Sequence, residues 1–228
     1  MNIGRIIKGV GGNYYVSAKG KIYKCSARGK FRKAKITPTV GDYVQFTILD
    51  ENDCEGALDT IEKRKNILLR PRVANIDCAI ITFAATSPDI NRDLLDRFLI
   101  LAETQNIPKV IICINKSDLV SQEEKDAFAN IYEPYYKVVF TSAEKNIGID
   151  QLKEEIHGCE SVFAGPSGVG KSSLINRLIP ESNRQTGEIS RKIERGKHTT
   201  RQVELLRADE ETYIVDSPGF TSLSLDFL

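Results

Sequence analysis

The sequence predicts an α/β protein with two domains, an N-terminal β-barrel followed by a domain built on a mostly parallel sheet. Short alternating strands broken by glycine fill residues 1–65, whereas apolar strands alternate with helical segments in residues 73–228. Residues 66–72 are charged, contain Pro71 and are predicted to be a linker. With 228 residues, 41% of them hydrophobic, the chain is long enough to bury two cores.

Five short strands with turn residues between them predict a small antiparallel barrel in the first domain. An OB-fold is the natural candidate, because such barrels have about five strands and commonly bind nucleic acid. The predicted strands cover residues 4–8, 14–16, 21–25, 40–48 and 56–61.

The charge is distributed unevenly along the chain. Residues 1–72 contain fifteen Lys and Arg against seven Asp and Glu, and residues 1–40 contain ten basic residues and no acidic one. Such a segment favours a polyanionic partner, and we predict RNA. Arg28 to Lys35 is interpreted as a basic loop that contacts phosphates, with Phe31 available for stacking. The alternative is a solvated basic loop, and no base-reading motif is present.

Strands and helices alternate in the second domain. Predicted strands cover residues 76–84, 108–114, 137–140 and 160–164, and helical spacing covers 94–102, 148–156 and 173–179. The first two strands are nearly continuous apolar runs, as expected for strands that are covered on both faces.

Gly165-Pro166-Ser167-Gly168-Val169-Gly170-Lys171-Ser172 matches the phosphate-loop pattern G-x-x-x-x-G-K-[ST], with a strand before it and a helix after it. In such a loop, successive backbone N–H groups converge on phosphates at the positive end of a helix. Lys171 then reaches the β- and γ-phosphate oxygens, and the Ser172 hydroxyl becomes a Mg²⁺ ligand.

Four further motifs stand at the ends of predicted strands. In Asn115-Lys116-Ser117-Asp118, the Asp118 carboxylate can accept from guanine N1–H and N2–H₂; adenine lacks this donor pair, so Asp118 argues against ATP. Thr141-Ser142-Ala143 is typical of the loop whose backbone N–H contacts guanine O6. Arg195 to Arg201 resembles a switch I segment, in which Thr200, or alternatively Thr199, closes the Mg²⁺ shell. Asp216-Ser217-Pro218-Gly219 is a D-x-P-G motif, in which Asp216 holds Mg²⁺ through water and Gly219 N–H senses the γ-phosphate.

Together these motifs predict a GTP/GDP site with Mg²⁺. The predicted nucleotide contacts are Asn115, Lys116, Ser117, Asp118, Thr141, Ser142, Ala143, Gly165, Pro166, Ser167, Gly168, Val169, Gly170, Lys171, Ser172, Ser173 and Gly219. The predicted Mg²⁺ ligands are Ser172, Thr200 and Asp216.

The order of the motifs is unusual, because ordinary GTPases begin with the phosphate loop. Joining the ends of such a domain and cutting it after D-x-P-G produces the order seen here, with every loop still at the same sheet edge. The sequence therefore predicts a circularly permuted GTPase, a rearrangement that is tolerable because domain termini often lie close together.

A basic OB-like domain followed by a permuted GTPase resembles the small ribosomal subunit-dependent GTPases of the RsgA family. G-P-S-G-V-G-K-S-S, R-G-K-H-T-T-R and D-S-P-G-F carry the resemblance, which covers essentially the whole chain. It implies GTP hydrolysis stimulated by the small (30S) subunit in late maturation, with the N-terminal domain on ribosomal RNA. It also implies a C-terminal domain with a Cys/His zinc site, but this chain ends at Leu228 and has no zinc ligand set. We expect a truncated or short form.

Catalysis is predicted to rest on Lys171, Thr200 and His198. Ras-like enzymes place a glutamine after D-x-x-G, but this chain has Phe220, which cannot orient water. His198 is the hypothesis for that role, as the family resemblance also suggests; the alternative is a solvated or phosphate-facing histidine.

Two other functions remain open at this stage: a GTP-regulated rRNA-binding module with little turnover, and a P-loop ATPase or kinase. The odd number of cysteines, with no C-x-x-C pair, favours reduced thiols over disulfides or a metal site. No apolar run is long enough to span a membrane. We expect a cytoplasmic monomer without membrane contacts.

Overall fold

The computed structural model describes residues 2–69, 71–179 and 203–216, with only the backbone of Arg32. The chain divides into two compact units, and the first contains residues up to Ile76.

Five strands of the first unit close into a barrel. They are β1 (Asn2–Val10), β2 (Asn13–Ala18), β3 (Lys21–Ala27), β4 (Tyr43–Asp50) and β5 (Glu55–Ile61). Strand β1 pairs with both β2 and β4, while β5 pairs with β4 and, in parallel, with β3. The resulting order β1-β2-β3-β5-β4-β1 confirms the predicted OB-like fold. Alternate residues face inward, and Tyr23 and Phe46 meet in the core with ring centroids 5.2 Å apart.

The basic stretch that begins at Arg28 is helical rather than a loop. Residues Gly29–Lys33 form α1, and Phe31 is only 6% exposed. The prediction that Phe31 is available for stacking is therefore wrong, because burying its ring is more favourable than leaving it beside the solvated lysines.

Two short strands lie within and just after the predicted linker. Strands β6 (Ile67–Leu69) and β7 (Arg72–Ala74) form a hairpin in which Leu68 and Val73 are buried. In the sequence, this short alternation of apolar residues could not be recognised as strand, because charged residues and Pro71 surround it. The domain boundaries at residues 65 and 72 stay predictions.

The second unit contains the parallel sheet. Its strands are β8 (Cys78–Ala84), β9 (Lys109–Asn115), β10 (Lys137–Phe140) and β11 (Glu160–Ala164), together with β12 (Glu204–Arg207) from Leu206 onward and β13 (Tyr213–Asp216) up to Val215. The order is β10-β9-β8-β11-β13, with β12 beside β13. Every residue of β8 and of β11 is buried, as expected for strands with helices on both faces.

The helices of this unit cover both faces of the sheet. They are α2 (Arg92–Thr104), α3 (Gln122–Tyr132), α4 (Ile149–Ile156) and α5 (Lys171–Leu178). Helices α4 and α5 pack with the strands in one apolar cluster. On the other face, Phe98 of α2 meets Phe83 and Phe128 of α3 meets Phe140, both edge to face. The alternating strand and helix pattern is thus confirmed, and the carboxyl ends of the parallel strands lie at one edge.

None of the five cysteines, all of which lie among the described residues, forms a disulfide, and burial raises the pKa of the Cys78 and Cys113 thiols to about 12. Among the described residues, no group of three or more His, Cys, Asp or Glu side chains is arranged to hold a metal ion. No helix in those same ranges is long and apolar enough to cross a membrane.

A buried ion pair closes the first unit. Asp42 is fully buried and accepts from Arg64 Nε at 2.6 Å and from a second guanidinium nitrogen at 2.8 Å. The Thr39 N–H donates to the same carboxylate at 2.8 Å. Because Asp42 has no contact with water, its charge depends on this bidentate partner.

Replacing Arg64 with methionine should lower the free energy of unfolding by about 3 kcal/mol or more, because the buried Asp42 carboxylate is left without its counter-charge. Lys21→Met is the matched control, since it removes the exposed Lys21–Glu51 pair (3.0 Å), which solvent screens, and it should change the free energy of unfolding far less. Urea unfolding of both variants measures the difference, and equal losses would contradict a special role for the buried pair.

Candidate nucleotide-binding site

The side-chain amide of Asn115 joins three loops at the carboxyl edge of the sheet. Its Nδ2 donates to the Val169 carbonyl in the phosphate loop at 2.8 Å, and its Oδ1 accepts from the Ala143 N–H at 3.1 Å. The Thr141 hydroxyl lies 3.4 Å from the same oxygen. Asn115 is 3% exposed, so these contacts satisfy an amide that has little access to water.

Two glycines allow the phosphate loop to pass close to neighbouring backbone and side chains. A Cβ on Gly165 would lie 2.0 Å from the Thr82 carbonyl oxygen, and one on Gly170 would lie 2.3 Å from Asn115 Nδ2. Gly170 also has φ +93°, which side-chain-bearing residues rarely adopt. The glycines of the motif are therefore required by the fold of the loop itself.

Lys171 is the first residue of α5, and its ammonium group turns back on the loop. Its Nζ donates to the carbonyls of Gly165 (2.8 Å) and Pro166 (2.7 Å). Burial lowers the pKa of Lys171, because removing the charged form from water is unfavourable. Since its partners within the described ranges are uncharged, an anion in the loop would supply a counter-charge. Ser172 and Ser173 follow in the first turn of α5 and are exposed.

The guanine-reading motif continues directly from β9. Lys116 has left-handed backbone geometry (φ +58°), and its Nζ donates to the Ser87 carbonyl. A hydrogen bond from the Ser142 side chain lowers the pKa of Asp118, with smaller contributions from Lys145 and Lys125, so the carboxylate is ionised. Ser142 thereby links the Asn115-Lys116-Ser117-Asp118 motif to the loop from Thr141 to Ala143.

A pocket of about 600 Å³ lies between these loops and α5. The predicted residues that line it are Asn115, Lys116, Asp118, Ser142, Ala143, Gly170 and Ser173. Four lining residues were not predicted: Leu119, Glu144, Asn176 and Arg177. The positions 173, 176 and 177 fall on one helical face, a spacing from which the last two could have been found.

The remaining predicted residues lie elsewhere. Ser117 and Thr141 are fully buried and join the loops through the Ser117 N–H, which donates to the Thr141 carbonyl at 3.0 Å. Gly165 to Val169, Lys171 and Ser172 form the phosphate loop and the start of α5, outside this lining. Asp216 is the last residue of β13, which runs parallel to β11. His198, Thr199, Thr200 and Gly219 lie outside the described residues, so their roles stay predictions.

Two family models match the chain. The RsgA GTPase family matches residues 61–226, and the RsgA N-terminal domain matches residues 3–57.

Several similar proteins match nearly the whole length of this chain. A small ribosomal subunit biogenesis GTPase RsgA from Alkaliphilus metalliredigens is 52% identical over 229 residues, which is 100% of this chain and 78% of that protein. A protein of the same name from Clostridium beijerinckii is 49% identical, and the match covers 97% of this chain and 75% of that protein. The crystal structure of YloQ, described as a circularly permuted GTPase, matches with a TM-score of 0.80 at 38% identity, over 100% of this chain and 75% of its own. YjeQ from Thermotoga maritima gives the same TM-score at 32% identity, over 96% of this chain and 75% of its own.

Gly170→Ala should abolish nucleotide binding, because the new Cβ would collide with Asn115 Nδ2 and separate the phosphate loop from the loops that hold Asp118 and Ala143. Gly158→Ala is the control: it has φ +69° but open space around the Cβ, so it pays only the backbone strain, about 1–2 kcal/mol. Binding of a fluorescent guanine nucleotide and urea unfolding separate the two effects. Equal nucleotide affinity in both variants would contradict this account.

Proposed function

This chain belongs to the RsgA GTPase family, and on that premise we propose that it hydrolyses GTP to GDP and phosphate during maturation of the small (30S) ribosomal subunit. Hydrolysis of GTP is the family's activity, and small ribosomal subunit biogenesis is the role that the names of its similar proteins state.

The observation that carries the proposal is the common pocket of three separate motifs. Asn115-Lys116-Ser117-Asp118, the loop from Thr141 to Ala143 and the phosphate loop are far apart in sequence, yet the Asn115 amide bonds to the other two. A phosphate loop alone would suit any nucleoside triphosphate. Joined to Asp118 in one pocket, it favours a guanine nucleotide.

Asp118 supplies the discrimination against ATP. Its lowered pKa keeps the carboxylate ionised, so it can only accept hydrogen bonds. Guanine offers N1–H and N2–H₂ to such an acceptor, whereas adenine presents an unprotonated N1, which cannot donate to the carboxylate. The ATPase or kinase alternative is therefore disfavoured.

Phosphate recognition falls to Lys171 and to the N–H groups at the start of α5. The Lys171 ammonium already lies in the loop and would exchange two carbonyl partners for phosphate oxygens. The exposed hydroxyl of Ser172 and the carboxylate of Asp216 are oxygen donors of the kind that Mg²⁺ prefers, with Thr200 proposed as a third. When bound, Mg²⁺ neutralises charge on the phosphates.

The barrel is proposed to contact ribosomal RNA. Lys30, Lys33 and Lys35 are exposed on and beside α1, where they can reach phosphates. Arg28 is held by Asp59 at 2.8 Å and serves to anchor the helix. We propose that the chain acts as a monomer in this contact.

One assay tests the function: phosphate release from GTP and from ATP, each with and without small ribosomal subunits. We expect turnover of GTP that the subunits increase, and none of ATP. The stimulation should weaken as salt is raised, because contacts with RNA phosphates release counterions.

Lys171→Met is the control for contaminating activity in that assay. GTP affinity without turnover, even beside subunits, would instead support the GTP-regulated rRNA-binding module. Hydrolysis of ATP at a similar rate would contradict the role of Asp118.

His198 is proposed to orient the attacking water, because Phe220 occupies the position after D-x-P-G. His198→Ala should lower subunit-stimulated turnover by about 100-fold or more while GTP affinity is kept. His157→Ala is the matched control, since His157 caps α4 at the surface beside Asp209. Stimulated turnover that survives the loss of His198 would assign that residue to solvent or to phosphate.

A further inference from the structure

We propose that Arg177 is a positioning residue for guanine recognition: it orients the Ala143–Glu144 peptide so that the Glu144 N–H donates to the purine C6 oxygen. This inference rests on the proposed function, because it assumes that a guanine nucleotide occupies the pocket. It assigns a role to two of the residues that the sequence motifs did not include.

The loop from Thr141 to Ile147 is here called the base loop. The hydrogen bonds of its backbone N–H groups show which peptide group faces a ligand. The Ser142 N–H donates to the Ile147 carbonyl (2.9 Å), the Ala143 N–H to Asn115 Oδ1 (3.1 Å) and the Lys145 N–H to Ser142 Oγ (3.1 Å). Within the described residues, the Glu144 N–H has no acceptor. Since Glu144 lines the pocket, its N–H is the donor that this loop leaves for a ligand.

Arg177 holds the other end of that same peptide group. Its Nε donates to the Ala143 carbonyl at 2.8 Å. In a planar trans peptide, the C=O of one residue and the N–H of the next point in opposite directions. Fixing the carbonyl of Ala143 therefore fixes the direction of the Glu144 N–H.

The position of Arg177 connects the two ends of the site. It lies in the last turn of α5, and together with Ser173 and Asn176 it faces the pocket. The first turn of the same helix carries Lys171 and Ser172. Eight helical residues are about 12 Å long, so one rigid element joins the phosphate loop to the base loop.

The guanidinium also strengthens the peptide as a donor. A hydrogen bond from a charged group polarises the carbonyl, and polarised peptides donate more strongly through their N–H. Removing the charge should thus weaken recognition of the C6 oxygen specifically, and leave Asp118 and the phosphate loop unaffected.

The experiment measures equilibrium binding of GTP and of 6-thio-GTP, in which a sulfur, a weaker acceptor, replaces the C6 oxygen. Arg177→Met should weaken GTP binding by about 3- to 10-fold, the effect of one hydrogen bond, and weaken 6-thio-GTP binding much less. The larger size of sulfur affects every variant alike and cancels in the ratio of affinities. In turnover, KM for GTP should rise while kcat stays unchanged.

Two further variants make the result decisive. Arg177→Lys keeps a charged donor and should recover part of the preference for GTP, which also serves as the measurement if Arg177→Met fails to fold. Arg97→Met makes the same change on an exposed face of α2 and should leave both affinities unchanged.

Equal losses for the two nucleotides, or no loss for either, would overturn the inference; equal losses would leave Arg177 as a residue that only stabilises the C-terminus of α5. A wild-type protein that binds neither nucleotide would instead refute the proposed function.

Discussion

The hydrogen bonds of the Asn115 side-chain amide are the constraint on which the nucleotide site depends. One buried amide donates to the phosphate loop and accepts from the base loop, so it needs a donor and an acceptor at fixed positions. Aspartate would lack the donor and an apolar residue would lack both, leaving the Val169 carbonyl and the Ala143 N–H without partners. The same amide fills the space that a side chain at Gly170 would need. The glycine of one motif is therefore explained by the asparagine of another.

This geometry also explains why the order of motifs along the chain can change. The strands β8, β9 and β11 are parallel, so the loops that follow them meet at one edge whichever strand comes first. Chain order determines the connections, while strand order in the sheet determines the site. A phosphate loop that begins at residue 165 is consequently as central as one near the start of a domain, because β11 lies between β8 and β13.

Sequence reasoning succeeded where a feature repeats over many residues. The continuous apolar run of β8 and the five alternating strands predicted the two folds, because periodicity and burial are linked over the length of an element. It failed at Phe31 and at the hairpin of residues 67–74, where one or a few apolar residues stand among charges. Arg177 was missed for a different reason: helical spacing could have placed it on the face of α5 that carries Ser173, but its partner is a backbone carbonyl, which no residue type in the sequence identifies.

The base-binding end and the phosphate-binding end of the site are stabilised by different interactions. At the base end, the Asn115 amide, backbone groups and the Arg177 guanidinium position one another, and the loop is organised before any ligand arrives. At the phosphate end, the organising group is a half-buried ammonium whose pKa is lowered by burial and whose partners among the described residues are carbonyl oxygens. Phosphate oxygens would supply a negative charge opposite the Lys171 ammonium. The electrostatic part of the binding free energy is therefore concentrated where the transferred phosphoryl group lies. Because α5 begins at Lys171 and carries Arg177 in its last turn, a single helix connects the contacts at the phosphate end to the contact at the base end.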